Sequence, residues 1–558
     1  SAHAPQCAAL KTLSRLAAGP QPGPRGSVLG LATLAAAAPS LLAYNVSPSP
    51  TFLNQALAFA GWGAFAAVLA WRGAGQPRGA GALAAVLAIV AAAAAWSWLG
   101  GALPSTLGLS ALGTLGAAAV LLAAGAAQAR RADAVEVAVA FFAGWVVAGL
   151  LNATVALVQV YAPAFADGNW IAASGLPGRA VGNLRQPNHL ASLLLWAGVG
   201  AVALAELRRL SPRLVAAVYA VFVYAVVLSA SRTGLVGVLL LAGWGLADRR
   251  LSRGSRRLLV AGPLVYLVGW ALTAEWAEQM HHAFGGTERL AETDLSSSRF
   301  AIWRDTLALI ARTPWAGVGF GEFNFAWTLT PFPDRPVAFF DHTHDLPLQF
   351  AVELGLPLAA LLLVLLAVAL VQGFRRAWRA EGEPGAAARA AMLLVATIGL
   401  HSLLEYPLWY AYFLLPAAWA WGFALGLPAV AGEGGAGAAP RGAAASPRGA
   451  QALPAAALLL VAGSVGAVAD YLQVTAIFRP GDGKPLDARI AAGRRSVFFA
   501  HHADYAAVTS ADALPAPAAF ARTAHYLLDT RLMIAWARAY AEAGDLERAR
   551  YLAARLRE

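Results

Sequence analysis

The chain has 558 residues, of which 59% are hydrophobic and 13% are charged, and its mean hydropathy is +0.58. A soluble globule of this size needs more polar surface, so the composition excludes one and predicts an integral membrane protein. The net charge of +11 is carried by arginines that gather in alternate short loops, which is typical of a multispanning protein and argues against a nucleic-acid partner. The one cysteine, Cys7, excludes an internal disulfide and a multi-cysteine metal site.

Long runs of Leu, Ala and Val, without the ten-residue alternation of an outer-membrane barrel, predict an all-α fold: a polytopic bundle of about 12–13 transmembrane helices. Lys11, Arg15 and Arg25 precede the first run, and no small-residue cleavage site is evident. This run is therefore interpreted as a first transmembrane helix and not as a removable signal peptide. The thirteen candidate spans lie at about residues 27–44, 51–71, 80–98, 107–128, 135–160, 189–205, 214–229, 234–247, 258–274, 346–371, 390–404, 410–427 and 453–469.

Positively charged residues predict how these spans are oriented. They gather in alternate loops, most densely from Arg249 to Arg257, whereas the intervening short loops 45–50, 99–106 and 401–409 contain no Lys or Arg. By the positive-inside rule, the arginine-rich loops are cytoplasmic. We therefore expect a cytoplasmic N-terminus and, after an odd number of spans, a C-terminus on the outer side.

The predicted topology leaves two long segments on the outer side, 161–188 and 275–345, and a loop as long as the second usually carries function. Within it, Ser298 and the serines before it precede apolar residues at helical spacing, which predicts a serine-capped amphipathic helix on the membrane surface. Near the C-terminus, Gly544 marks a break between two helices of tetratricopeptide type. We expect four regions: nine spans in 1–274, the periplasmic loop in 275–345, the last spans in 346–469 and a small helical domain outside the membrane in 470–558.

The outer loop ends in the run FDHTHDLPLQF, where two imidazoles and two carboxylates lie within five residues. Imidazole is the side chain best suited to moving a proton near neutral pH, so His342 and His344 are candidates for acid/base catalysis. Two alternatives stay open: the histidines are structural, or they bind a metal, because on an extended strand both rings would project from one face. No third ligand with suitable spacing is evident, and Asp341 and Asp345 equally suit a cap on the following helix.

Several arginines are expected on the same outer side. Arg232 occupies a short turn between two apolar helices, and because a lone cation is costly there, we predict a functional role for it. Arg179 and Arg304 flank membrane segments, where snorkelling towards lipid headgroups is the simpler interpretation. His401 and Glu405 are spaced to pair on one helix face, either as support for the helix or as support for the site.

Aromatic residues near the predicted membrane surface have a simple structural interpretation. The residues Trp303, Trp315 and Trp327 and the group Trp409, Tyr410 and Tyr412 are most simply an interfacial aromatic belt, with stacking against a sugar as a secondary alternative.

Five motifs occur in the order GNLRQPNHLA, SASRTG, SSRFAIWRDTLALIARTPWAGVGFGEF, HTHDLPLQFAVELGLP and HSLLEYPLWYAYFL, over about residues 180–415. In this order and on this membrane side they resemble the bacterial O-antigen ligase superfamily. Its relatives include protein O-oligosaccharyltransferases, which glycosylate pilins and other periplasmic proteins, and O-antigen polymerases. The resemblance implies a GT-C-like enzyme of the bacterial inner membrane, which needs no metal or other cofactor and takes a glycan from undecaprenyl diphosphate on the periplasmic face.

The resemblance also implies catalytic residues. The arginine of SRTG is Arg232, the arginine that opens the SRxxxW motif is Arg299, and the histidine of the H-x-H-[ND] motif is His344, with His342 adjacent. Asp345 stands where many members have Asn, which leaves open which histidine acts. The expected substrate-binding residues are Arg185, Asn188, His189, Arg304, Asp345, His401 and Glu405.

This set of residues suits transfer of a glycan from a lipid diphosphate. The diphosphate is already a good leaving group, so the enzyme needs cations at the developing phosphate charge and a base for the proton of the acceptor hydroxyl. Arg232 and Arg299, with Arg185, suit the first role, because guanidinium is always charged and grips phosphate oxygens in a bidentate manner. His344 suits the second. Direct displacement by the acceptor would invert the anomeric centre.

We expect an O-antigen ligase that transfers the glycan to lipid A–core oligosaccharide. The alternative uses the same donor but a Ser or Thr hydroxyl of a pilin or other periplasmic protein, and the RQPNHLA motif and the C-terminal domain lean towards it. A transporter is less favoured, because the spans show few intramembrane charges and no clear inverted repeat. The expected partners are the lipid-linked donor, the acceptor and membrane lipids, and not nucleic acid.

Overall fold

A computed structural model of the protein describes residues 24–73, 75–291, 298–336, 340–428, 447–479, 483–510 and 515–558. Within these ranges the chain is helical and has no β-strand, which confirms the predicted all-α fold. The helices are α1 Pro24–Leu41, α2 Phe52–Trp71, α3 Gly81–Leu99, α4 Ser105–Gln128, α5 Ala134–Tyr161, α6 Pro187–Glu206, α7 Pro212–Ser229, α8 Arg232–Ala247, α9 Arg253–Gln279, α10 Gly285–Ala291, α11 Arg299–Arg312, α12 Phe323–Leu329, α13 Leu346–Leu354, α14 Leu356–Arg379, α15 Gly382–Ser402, α16 Ala411–Gly426, α17 Pro447–Thr475, α18 Leu486–Gly493, α19 Ala500–Thr509, α20 Phe520–Thr523, α21 Thr530–Glu542 and α22 Leu546–Arg557.

Ten of the described helices are long and apolar enough to cross a membrane: α2 to α7, α9, α14, α15 and α17. Three more, α1, α8 and α16, are apolar but shorter. These thirteen helices fall on the thirteen predicted spans, so the prediction of a polytopic membrane bundle is confirmed.

One predicted span is wrong in its extent, because the run at 346–371 is two helices. Gly355 separates α13 from α14 and has a φ of +78°. A Cβ at this position would lie 2.3 Å from the carbonyl oxygen of Trp315, so the close approach of another backbone requires glycine. Val318 and Gly319 then pair through their N–H groups with carbonyls at the end of α13, at 2.8 and 2.9 Å. Hydropathy cannot reveal such a break, since glycine does not interrupt an apolar run.

The bundle packs closely where glycines line a helix contact. A Cβ at Gly125 of α4 would lie 2.1 Å from the carbonyl oxygen of Trp419 in α16, and one at Gly422 of α16 would lie 2.2 Å from that of Leu122. Small residues allow two membrane helices to approach until their backbones touch, which increases dispersion contacts in a solvent that supplies no hydrophobic force between helices.

A buried ion pair joins α8 to α15. The Nε of Arg389 lies 2.7 Å from Oδ2 of Asp248, and the two side chains are 6% and 0% exposed. Asp248 also lies 3.3 Å from the indole N–H of Trp244. Each charge therefore has a partner, as burial of an ion requires. The pair fixes the C-terminal end of α8 against the N-terminal part of α15.

The segment between α10 and α14 has a small core of its own. Ile302 and Leu309 of α11 pack with Phe323 and Trp327 of α12 and with Val352 of α13. The amphipathic helix expected in the outer loop is therefore present as α11.

The predicted serine cap of α11 is not supported by Ser298. This residue occupies the N-cap position, but its φ is +65° and its side chain accepts no hydrogen bond from the first turn. The two serines before it lie outside the described residues. Phe300 and Leu307 are exposed on the helix, at 70% and 56%. Placement of this face on a membrane surface stays a prediction.

The C-terminal helices pack against α12, in the segment between α10 and α14. Leu532 of α21 and Leu552 of α22 belong to one apolar cluster that includes Phe325 and Leu329 of α12. The expected break between the last two helices is confirmed, because Gly544 lies between α21 and α22 with a φ of +81°.

Polar contacts complete this interface. His525 Nδ1 lies 2.6 Å from Oε2 of Glu322, and the ring of His525 stacks on Phe325 at 4.1 Å. The backbone N–H of Leu528 donates to Oδ1 of Asn324 at 2.8 Å. The segment that leads to His344 is therefore held by helices from the far end of the chain.

Candidate active site

Glu405, in the loop after α15, is the centre of a hydrogen-bonded cluster. Its Oε1 accepts from Nη2 of Arg299 at 2.6 Å and from Nδ2 of Asn188 at 3.1 Å. Its Oε2 lies 2.8 Å from Nδ1 of His344. Arg299 also donates from Nε to the carbonyl of Leu404 at 2.8 Å. The fold thus brings together residues from four of the five sequence motifs.

The fifth motif joins the cluster through a serine. Ser231 Oγ donates to Oδ1 of Asn188 at 2.6 Å and accepts from the backbone N–H of Gly234 at 2.9 Å, which caps α8. The next residue, Arg232, begins α8 and donates from Nη2 to the carbonyl of Arg289 in α10 at 3.0 Å. One hydrogen-bond chain therefore runs from the start of α8 through Asn188 to Glu405.

The two histidines of the HxH sequence have different surroundings. His342 stacks on Tyr406 with ring centres 4.2 Å apart and meets Trp409 edge-on at 4.7 Å. Its Nδ1 lies 2.8 Å from Oδ1 of Asp341, whereas His344 contacts Glu405. The backbone of His344 has a φ of +58°, so the segment is not the extended strand that would present both rings on one face.

Left-handed backbone conformations concentrate at the motifs. Of the seven non-glycine residues with positive φ in the described part of the chain, four lie within two positions of predicted catalytic or binding residues: Arg185, Ala230, Ser298 and His344, with φ between 49° and 65°. Each such conformation costs about 1–3 kcal/mol and persists only where the surroundings enforce it. Packing therefore fixes the direction in which Arg232, Arg299 and His344 leave the backbone.

The electrostatic environment of the cluster favours anions. The N-termini of α6, α8 and α11 meet there, and the peptide dipoles give each a partial positive charge. Burial alone would raise the pKa of Glu405, but its hydrogen bond with His344 and the charges of His344 and Arg299 lower that pKa to about 2. Glu405 is thus a carboxylate at any physiological pH.

Asp345 is a helix cap in this structure. Its Oδ1 accepts from the backbone N–H of Leu348 at 2.8 Å, at the start of α13. Burial raises the pKa of Asp345, and this hydrogen bond opposes the shift. Burial would also raise the pKa of Asp341, but the neighbouring His342 holds it below its usual range.

His189 and His401 lie beneath the cluster and are 3% and 0% exposed. His189 Nδ1 lies 3.0 Å from the hydroxyl of Tyr412, and His401 Nδ1 lies 2.8 Å from Oγ of Ser192. The expected pairing of His401 with Glu405 on one helix face is wrong, because α15 ends at Ser402 and the two side chains have other partners.

Two expected binding residues are not brought to Glu405. Arg185 donates to the carbonyls of Ala43 and Asn183, and burial lowers its pKa. Arg304 is half-exposed, lies 2.8 Å from Oδ1 of Asp305 and donates to the carbonyl of Asp334 at 3.0 Å. Their part in substrate binding stays a prediction.

The aromatic side chains near the site are largely buried within the protein. Tyr412 and Trp327 are 4% and 1% exposed, so the interfacial-belt interpretation is wrong for these two, whereas Trp315 and Trp409 are 80% and 40% exposed and their place in a belt stays a prediction. Tyr406 contacts both His342 and His344, and the indole N–H of Trp303 donates to the carbonyl of Thr343 at 3.0 Å. Sequence reasoning missed these supporting roles and that of Ser231. The adjacency of Tyr406 to Glu405, and of Ser231 to Arg232, was the available signal.

The fold and this cluster are those of an integral membrane enzyme, and comparisons with known families indicate the glycosyltransferase type. Residues 215–363 match a family described as O-Antigen ligase. Residues 389–558 match the C-terminal part of virulence factor membrane-bound polymerases. Residues 180–205 match a family described as protein glycosylation ligase.

These matches support a relationship to the O-antigen ligase superfamily over the parts of the chain that they cover. Every residue of the cluster falls within one of the three matched ranges. The chain is 27% identical over 259 residues to a general O-oligosaccharyltransferase of Acinetobacter baylyi, which covers 45% of this chain and 43% of that relative. It is 24% identical over 255 residues to a ComP-specific O-oligosaccharyltransferase of the same species, which covers 45% of this chain and 44% of the relative. The matched part therefore spans less than half of either relative.

Proposed function

We propose that the protein transfers a glycan from a lipid-linked diphosphate to a hydroxyl acceptor, with His344 as the general base. One observation carries this proposal: the carboxylate of Glu405 lies 2.8 Å from His344 Nδ1 and 2.6 Å from Arg299 Nη2. A proton acceptor and a fixed cation are thereby held side by side. These are the two groups that a transfer from a diphosphate requires.

Glu405 orients the imidazole. A carboxylate only accepts hydrogen bonds. Nδ1 of His344 therefore carries a hydrogen atom and donates a hydrogen bond to Oε2 of Glu405. Nε2 then keeps its lone pair, and within the described part of the chain it makes no hydrogen bond. A carboxylate in this position also stabilises the imidazolium that forms when Nε2 takes a proton.

The proposed reaction is one displacement at the anomeric carbon. The acceptor hydroxyl gives its proton to Nε2 of His344, and its oxygen forms a bond to the anomeric carbon while the bond from that carbon to the diphosphate oxygen breaks. The lipid diphosphate leaves with the bonding electron pair. Attack opposite the leaving group inverts the anomeric centre.

Arg232 and Arg299 are proposed to stabilise the leaving diphosphate. Both begin helices whose N-termini carry partial positive charge, α8 and α11. Arg299 is held through Nε by Leu404 and through Nη2 by Glu405, so its position does not depend on a ligand. Preorganised cations of this kind act on charge that develops in the transition state.

The comparisons support a protein acceptor over lipid A–core. Both relatives are O-oligosaccharyltransferases by name, and the match at residues 180–205 is to a protein glycosylation family. We therefore favour a Ser or Thr hydroxyl of a pilin or other periplasmic protein. Lipid A–core remains the second candidate, because residues 215–363 match the O-Antigen ligase family.

A direct competition would decide the acceptor. Purified protein given an undecaprenyl-diphosphate-linked glycan, with a pilin and lipid A–core in one reaction, is expected to modify the pilin. Intact-protein mass spectrometry and gel analysis of the lipid fraction measure the two products. Modified lipid A–core with an unmodified pilin would contradict the choice of acceptor. It would still support transfer of the glycan from the lipid-linked donor.

The proposed location is the bacterial inner membrane, with the cluster facing the periplasm. The arginine-rich loops support this orientation, because they flank the opposite ends of the helices that carry the site. Undecaprenyl diphosphate and lipid A–core or a periplasmic protein are the corresponding proposed partners.

Glycan transfer is expected to continue unchanged in EDTA. In the described residues, no group of three or more His, Cys, Asp or Glu side chains is placed to hold a metal ion. The proposed mechanism relies on guanidinium groups for the charge that a metal supplies in other transferases. Initial rates measured with and without the chelator test this, and a loss of rate that Mg²⁺ or Mn²⁺ restores would contradict it.

A further inference from the structure

A polar cavity lies between the start of α4 and the segment from α18 to α20. It has a volume of about 450 Å³ and is partly open to its surroundings. Ser105 and Thr106 of α4 line one wall, and Arg494, Arg495 and Arg522 line the other. None of the residues of the Glu405 cluster lines it.

The cavity has an excess of positive charge. Three arginines line it, and Asp504 is the acidic residue among the lining residues. Asp504 lies 2.9 Å from Nε of Arg494, so that pair is neutral. For Arg495 and Arg522, no carboxylate of the described residues lies within ion-pair distance. Two guanidinium groups therefore face one cavity without a compensating charge, and their repulsion favours a bound anion.

The cavity lies at the edge of the membrane bundle. Helices α3 and α4 are both long and apolar enough to span a membrane, and the cavity begins at the first residue of α4. Trp96 and Leu99, at the end of α3, are 78% and 76% exposed. An exposed tryptophan next to a large aliphatic side chain at a helix end is typical of the lipid headgroup level.

The wall of the cavity is fixed to α4 through a buried contact. His501 of α19 lies 2.8 Å through Nδ1 from the hydroxyl of Thr106 and is 8% exposed. Tyr526 lines the cavity and hydrogen-bonds with His502 at 3.0 Å. Arg494 and Arg495, between α18 and α19, are therefore close in sequence to a helix that is held against the membrane helix α4.

We propose that this cavity binds a phosphate group at the membrane surface. Guanidinium groups match phosphate oxygens in charge and geometry, and a volume of about 450 Å³ accommodates a phosphate together with the polar group attached to it. An anionic phospholipid headgroup and a free phosphate compound share this chemistry. The site is independent of the proposed glycan transfer.

Binding is tested on the full-length protein in detergent, in two arms. In the first, native mass spectrometry follows the titration of delipidated protein with phosphatidylglycerol, and phosphatidylcholine serves as the zwitterionic reference. In the second, calorimetry measures inorganic phosphate and diphosphate. The double substitution Arg495→Gln/Arg522→Gln is expected to raise the dissociation constant about tenfold or more in the arm whose compound is the ligand of the cavity.

A matched control separates the cavity from overall charge. Arg531→Gln/Arg538→Gln removes two exposed arginines from α21, which does not line the cavity, and is expected to bind as the unmodified protein does. Asp504→Asn removes the carboxylate from the wall and is expected to tighten binding. Loss in the phosphatidylglycerol arm identifies a lipid headgroup, and loss in the phosphate arm alone identifies a soluble compound. The proposal would be overturned if the Arg495/Arg522 variant bound as tightly as the unmodified protein in both arms. It would also be overturned if the control variant lost as much affinity as the Arg495/Arg522 variant.

Discussion

Replacing His344 with glutamine is expected to reduce glycan transfer by about 10²–10⁴-fold, the usual contribution of a positioned general base. The glutamine amide is able to donate a hydrogen bond to Glu405, as Nδ1 of the imidazole does at 2.8 Å, but it cannot take a proton from the acceptor. The initial rate of transfer from a lipid-linked glycan measures the loss. The melting temperature in detergent shows whether the variant is folded.

Two other histidines provide controls for this variant. His342→Ala removes a ring that stacks on Tyr406 at 4.2 Å without contacting Glu405, so a smaller loss is expected. His282→Ala removes an exposed ring that stacks on Trp276 and is expected to leave the rate unchanged. A His344→Gln enzyme within a few-fold of the original rate, beside a His342→Ala enzyme without activity, would assign the base to the other histidine.

Replacing Glu405 with alanine is expected to abolish transfer and to destabilise the protein. The carboxylate side chain is 10% exposed and has Arg299 and His344 as partners, whose own side chains are 18% exposed. Removing one partner from a buried charge cluster costs about 3–5 kcal/mol, because Arg299 and His344 lose the carboxylate that they both contact. Denaturant unfolding in detergent micelles measures the stability, and the transfer assay measures the rate.

The substitution Glu405→Gln distinguishes the effect of the shape of the Glu405 side chain from the effect of its negative charge. The amide retains the shape of the side chain but lacks the negative charge that holds Arg299 and stabilises the imidazolium. We expect the unfolding free energy to fall less than in the alanine variant, while the transfer rate falls nearly as far. Transfer at the original rate by Glu405→Gln would contradict the role of Glu405 in positioning His344.

The stability contributed by Glu405 has a defined dependence on pH. Its folded pKa of about 2 lies below the ordinary value of 4.5, so the folded state binds its proton less readily than the unfolded state. The contribution is therefore fully present above pH 4.5 and declines as the pH falls towards 2. The difference in unfolding free energy between the protein and Glu405→Gln is expected to narrow as the pH falls from about 4.5 towards 2.

Much of the fold was predictable because the positions of membrane helices follow from the local amino-acid composition. Twenty consecutive apolar residues form a helix in lipid whatever their partners, since the backbone has no other source of hydrogen bonds. The thirteen runs were found for this reason. The break at Gly355 was not found from the sequence, because it depends on the backbone of Trp315, which lies 40 residues earlier.

The sequence was sufficient to predict which residues belong to the candidate site, but not which of them contact each other. A cation in an apolar turn and paired imidazoles are unusual in such a chain, so Arg232 and His344 were singled out. That Glu405 bridges His344 and Arg299 depends on the end of α15 at Ser402, which turns the carboxylate away from His401. Helix ends are the least certain part of a sequence-based prediction, so the expected pairing was wrong.

The contact of His525 with Glu322 has a consequence for how the protein is made. The two residues are 203 positions apart, so a ribosome adding about 5–20 residues per second completes His525 roughly 10–40 seconds after Glu322. During that interval the segment from α11 to α13 lacks the helices that pack on Phe325 and Leu329. The segment that leads to His344 is therefore fully supported only after α21 and α22 have been synthesised.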